Sequence, residues 1–186
     1  MDQKSADASS ESRVLIVGVD HELQDPAVHM SCSGNLPEIE AQDKVRFRDF
    51  LRSLVRDRVA LFIGEEYLPP INTIACEVAA ELGVRYECVD MPRDERERRG
   101  IPENYSTDQK LQPERKAAYH REREEYMVER TEELAPDIGS RIVVCGLDHL
   151  AGLRELFFVR CYAVESINVE ELPEFDLGWL ARRFWS

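Results

Sequence analysis

Short apolar runs separated by amphipathic stretches set the rhythm of this chain. VLIV ends at Gly18, and the same pattern returns as VALFIG after position 58, VRYECV after 83 and IVVCG after 141. Such runs, closed by glycine or an acid, predict strands buried on both faces, as in a parallel sheet. Between the first two, 37–57 places Phe47, Phe50, Leu51, Leu54 and Val55 at helical spacing with charges between them. A second stripe, Ile71, Ile74, Ala75, Val78, Ala79 and Leu82, stops before Gly83, a natural C-cap. A highly charged helix is predicted over 113–134, anchored by Tyr119, Tyr126, Met127 and Leu134, then a short helix over 150–157 and a last strand within 159–169.

Strand and helix alternate, which is the pattern of right-handed crossovers on a parallel sheet. The expected fold is α/β, a single domain over 13–186 with a mainly parallel sheet between helices in three layers, α/β/α. Residues 1–12 read as a disordered tail. Two segments stand outside the pattern. Residues 22–37, rich in Pro, Ser and Gly and holding His29 and Cys32, read as a long loop; residues 91–112 read as a lid or disordered loop, too polar for a core element. The C-terminal Phe175, Leu177, Trp179, Leu180, Phe184 and Trp185 must be buried, either against the sheet or against a second subunit in a homodimer.

Composition narrows the partners. The net charge is -13 over 186 residues, which argues against nucleic acid and against anionic membrane surfaces. The opening residues have no apolar core of a signal peptide, and no apolar run is long enough to span a bilayer. The five cysteines form no CxxC pair; Cys88, Cys145 and Cys161 lie in apolar runs, where a thiol acts as a small core residue. Reduced thiols and the missing leader give a cytoplasmic expectation.

The candidate chemistry lies at the strand ends. Gly18, Asp20 and His21 repeat as Gly146, Asp148 and His149, so two Gly-x-Asp-His motifs each follow a strand. Ligands of open α/β sheets bind at that edge. Glu65 and Glu66 follow the second strand, where only one of two neighbours can face the site, and Asp90 follows the third. Histidine with carboxylate is a usual ligand set for manganese, cobalt, zinc or iron, and an open position on the ion activates water. His21, Glu65 and His149 are the expected metal ligands; His21, Glu65, Glu66 and His149 are the expected catalytic groups. Asp20, Asp90 and Asp148 are secondary candidates, because an acid after a strand more often caps a turn or a helix. An arginine of the charged run 121–127 could anchor an anionic group beside the histidines. His29 and His120 have no such setting and are taken as solvated.

In this order, Gly18 and His21, Glu65 or Glu66, Asp90, Arg123 with Met127, and Gly146 with His149 resemble the motifs of the TraB/TIKI, ChaN and erythromycin-esterase superfamily. The resemblance spans about 13–164, with Glu124 standing where that superfamily usually has Asn or Asp. It implies a hydrolase acting on a small-molecule or peptide substrate, with Arg123 as the catalytic-site arginine that orients it. TIKI members look like metal-dependent peptidases and erythromycin esterases like His/Glu water-activating enzymes, whereas ChaN members bind haem, the alternative ligand. No Gly-x-Ser-x-Gly is present and no cysteine has a nucleophile's setting, which favours direct attack by water.

Overall fold

The computed structural model describes residues 12–26, 36–67, 72–137 and 139–175. His29, Cys32, Ile71 and the aromatics beyond Phe175 lie outside them, as does nearly all of the 1–12 tail. The elements run β1 (Arg13–Val19), α1 (His21–Gln24), α2 (Leu36–Asp57), β2 (Ala60–Glu65), α3 (Ile74–Leu82), β3 (Arg85–Cys88), α4 (Arg93–Arg98), α5 (Pro113–Leu134), β4 (Ser140–Gly146), α6 (Leu147–Val159) and β5 (Ala163–Asn168). All strand pairs are parallel, in the order β3-β2-β4-β1-β5. Among the described residues no helix is long and apolar enough to cross a membrane.

The three layers follow from the alternation of the strands. Leu15, Val17, Ile142 and Val144 pack with Phe47, Leu51, Val55 and Val78 of α2 and α3. Val14, Ile16, Val143 and Cys145 pack on the other face with Met127, Val128, Leu153 and Phe157 of α5 and α6. Thr73 caps α3 by accepting from Cys76 N, and Gly83 ends it at φ 67, a conformation glycine adopts without penalty. β4 inserts between β1 and β2, so Val19 stands beside Gly146 in register and the two Gly-x-Asp-His motifs leave the sheet side by side.

Three readings of the sequence change. Residues 91–112 are not a structureless lid: α4 forms there, and Met91, Ile101 and Tyr105 are buried together against Leu111, Tyr119 and Tyr126. The segment has few apolar residues, but those few meet a surface that α5 supplies. Cys161 is exposed in the turn between α6 and β5 at φ 64, so it is no core residue. The helix after β4 starts at Leu147 rather than at 150, which places His149 in its first turn. Truncating Ile101, which is buried, to Ala is expected to destabilise by about 2 kcal/mol or more. Urea unfolding would read the loss, and proteolysis should cut within 92–112 in the variant before it does so in the wild type.

Candidate functional site

His21 is set by a relay that runs through the α2/α3 side of the sheet. It opens α1, whose N-cap Asp20 accepts from Glu22 N at 2.8 Å. Its Nδ1 is 2.6 Å from Gln24 Oε1, while Gln24 Nε2 donates to Glu65 Oε1 at 3.0 Å. Gln24 so placed presents its NH2 to Glu65 and its oxygen to His21. Glu65 Oε2 also accepts from the Tyr86 hydroxyl at 2.6 Å and from the Thr73 hydroxyl. Burial pushes the Glu65 carboxyl up, opposed by these donors. In the uncharged ring, the tautomer that hydrogen-bonds Gln24 Oε1 carries its proton on Nδ1 and leaves Nε2 an acceptor, on a side chain still 54% exposed.

Glu66 leaves the sheet on the opposite side, because successive side chains alternate. Its Oε2 accepts from Gly146 N at 2.7 Å and its Oε1 from Arg123 Nη2 at 2.8 Å. The same Oε1 is 3.3 Å from His149 Nε2 and 3.9 Å from His21 Nε2. A Cβ at Gly146 would stand 2.7 Å from His21 Nε2, so only glycine leaves that nitrogen open. His149 Nδ1 bonds Glu124 Oε1 at 3.2 Å, and Glu124 reaches it by lying against Gly152, where any Cβ would overlap its carboxylate.

These contacts set charge. Burial opposes charging His149, but its hydrogen bonds to Glu124 and Glu66 outweigh that and raise its pKa from 6.5 to about 9. Burial likewise opposes the Glu66 carboxylate, yet His149, Arg123 and His21 lower it to about 2. Burial opposes the Arg123 charge too, and Asp90 and Glu66 more than compensate. Asp90 accepts from Arg123 at 2.9 Å, from Arg96 at 3.1 Å and from Met91 N at 2.7 Å. From Arg96 through Asp90, Arg123, Glu66 and His149 to Glu124, cation and carboxylate alternate at every contact.

His21, Glu66, Arg123 and His149 meet at one cavity of about 270 Å³, with Asp20 and the exposed Asp148 on its lining. Glu65 does not: it touches the site only through Gln24, and the expected metal set His21, Glu65 and His149 does not come together. Among the described residues no group of three or more His, Cys, Asp or Glu is arranged to hold a metal ion. Asp90 acts by holding Arg123. His120, expected to be solvated, is half-buried on the cavity lining, its ring 4.9 Å from that of His149. The sequence does carry a sign of this: His120, Arg123, Glu124 and Met127 recur at three- and four-residue spacing, one face of a helix. Gln24 and Tyr105 have no comparable mark. No family model, curated protein or solved structure matches the chain.

The His149 imidazolium has a folded pKa of about 9 against an ordinary 6.5. Its stabilisation is therefore complete below pH 6.5 and lost as the pH rises to about 9. His149→Asn is expected to remove this part of the pH dependence and to destabilise by about 3 kcal/mol or more near neutrality, because two buried carboxylates lose their shared cation. Urea unfolding of both proteins between pH 6 and 10 checks it; an equal slope in the two would refute the assignment.

Proposed function

We propose that this cavity hydrolyses an ester or amide bond of a small-molecule or peptide substrate by direct attack of water, with His21 as general base. One observation carries the reading: His21 Nε2 is a bare acceptor, oriented from behind by Gln24 and Glu65 and opening beside the fixed cations His149 and Arg123. Such a nitrogen takes a proton from water as the water oxygen bonds to the carbonyl carbon. The carbonyl π electrons move onto oxygen, which becomes an oxyanion near the first turn of α6. That turn has no side-chain cap, and Leu147 and Asp148 line the cavity, so its positive end faces the developing charge. The intermediate collapses as the protonated His21 returns the proton to the leaving oxygen or nitrogen and that bond breaks. Glu66 is the structural anchor of the cations rather than the base, since His149, Arg123 and Gly146 hold it as a carboxylate of low basicity. Of the residues that carry the resemblance to the TraB/TIKI, ChaN and erythromycin-esterase superfamily, His21, Glu66, Arg123, Gly146 and His149 line this cavity and Asp90 holds Arg123, which favours the same reading.

A divalent ion, manganese, cobalt, zinc or iron, is the second reading, favoured by the approach of His21 Nε2 and His149 Nε2 to one Glu66 oxygen. The ligands would then be His21, Glu66 and His149, the metal replacing the proton on His149 Nε2. Against it, Arg123 donates to that same oxygen, and among the described residues no three such side chains are arranged to hold an ion. The haem alternative suits the cavity less well: about 270 Å³ is below the roughly 300–1,000 Å³ of clefts for drug-sized ligands.

His21→Ala is expected to lower kcat on an ester or peptide substrate by about 10²- to 10⁴-fold with KM little changed. Gly146→Ala should lose turnover similarly by crowding Nε2. Turnover that survives His21→Ala would sink the general-base assignment. Elemental analysis after dialysis against first-row divalent metals decides between the readings: stoichiometric metal in the wild type and none in His21→Ala/His149→Ala would favour the ion.

A further inference from the structure

The cavity holds a third imidazole that water activation by His21 leaves unused. His120 lies on α5 one turn before Arg123, its ring 4.9 Å from the Tyr105 ring and 4.9 Å from that of His149. Donor and acceptor capacity fixes its tautomer. A guanidinium only donates, so the 3.1 Å contact from Arg123 Nη1 makes the Tyr105 hydroxyl oxygen an acceptor. The hydroxyl proton then has one partner among the described residues, His120 Nδ1 at 3.1 Å. With Nδ1 accepting, the ring proton of an uncharged His120 sits on Nε2. Nε2 has no hydrogen-bond partner among the described residues, and the ring lines the cavity. Burial first, then the neighbouring His149 charge, lower the pKa of His120 and keep the ring uncharged.

His21 is the inverse case, with its proton on Nδ1 and Nε2 bare. One cavity therefore offers one imidazole nitrogen that accepts and one that donates, each set from behind by a separate relay. We propose that His120 Nε2–H is the hydrogen-bond donor that receives the substrate's carbonyl oxygen and holds it as an oxyanion while His21 deprotonates water. This role rests on the hydrolytic reading. It also defines the ligand class: a carbonyl that becomes a tetrahedral oxyanion. The Arg123–Tyr105 relay makes the donor preorganised, the property that gives such groups their effect, and removing one typically costs about 10²- to 10³-fold in kcat.

The test uses the full chain and methylphosphonate, a tetrahedral oxyanion mimic, followed by side-chain ¹⁵N NMR of the histidines. Expected are a bare Nδ1 and a protonated Nε2 on His120, an Nε2–H resonance that moves on titration, and at least tenfold weaker binding by His120→Phe. Phe keeps a ring against His149 and loses the donor, while His120→Gln, which retains an N–H, should recover part of the affinity. Tyr105→Phe should free the His120 tautomer without altering that of His21. A proton on His120 Nδ1, methylphosphonate bound equally well by His120→Phe, or no binding by the wild type would each overturn the proposal. The two readings fail separately. If binding requires His120 but no ester or amide is cleaved, hydrolysis falls and the donor stands; if esters are cleaved and His120→Phe turns over at the wild-type rate, the donor falls and hydrolysis stands.

Discussion

The Glu66 carboxylate is the contact on which the site depends. It is 3% exposed and receives donors from the β4–α6 junction, from α5 and from α6, with His21 of α1 close by. A buried carboxylate is costly unless charge and hydrogen bonds both meet it. Here they do, and each donor comes from a different part of the chain. The elements that surround Glu66 are therefore fixed relative to one another by the requirement that its oxygens stay satisfied. The alternation of sign from Arg96 to Glu124 extends this constraint across α4, α5 and α6. Removing an interior member takes one partner from the charge on either side of it.

The sheet order brings these groups together. β1 and β2 are consecutive strands, yet β4 lies between them, so the exits of β1, β2 and β4 are adjacent at one edge. Two glycines then allow approach distances that no other residue would. Gly146 lets His21 Nε2 come beside the backbone of the β4 exit, and Gly152 lets Glu124 of α5 press against α6 beneath His149. Both are steric conditions for the electrostatics, since each carboxylate or imidazole must come within hydrogen-bonding range of its partner.

The sequence carried the layers and the strand ends because apolar periodicity reports burial directly: Val14 to Val17, Ile142 to Cys145 and the Phe47–Leu51–Val55 stripe are buried as their spacing requires. It could not choose between Glu65 and Glu66. That choice depends on which face each position takes after the register irregularity between Ala60 and Phe62, a property of pairing with β4 rather than of local sequence. His120 was hidden for another reason. On a helix dominated by charge, a solvated residue and a cavity-lining one look alike until the segment 91–112 is seen to fold over α5 and bring Tyr105 to it. The misreading of that segment and the misreading of His120 are one error, because the packing of Tyr105 creates both features.

His21 and His149 share the same Gly-x-Asp-His setting and end with different partners behind the ring. His21 is half-open, and behind it stands a neutral amide, Gln24, that relays to a carboxylate without contacting it. His149 is buried and touches two carboxylates directly. The amide sets which nitrogen of one ring faces the cavity, and the carboxylates hold the other ring as a cation up to about pH 9. Environments that drive like groups apart are how one site can hold a base and a fixed positive charge at the same pH. The motif supplies two identical side chains at one sheet edge; the difference between them comes from what α1 and α5 place behind each ring.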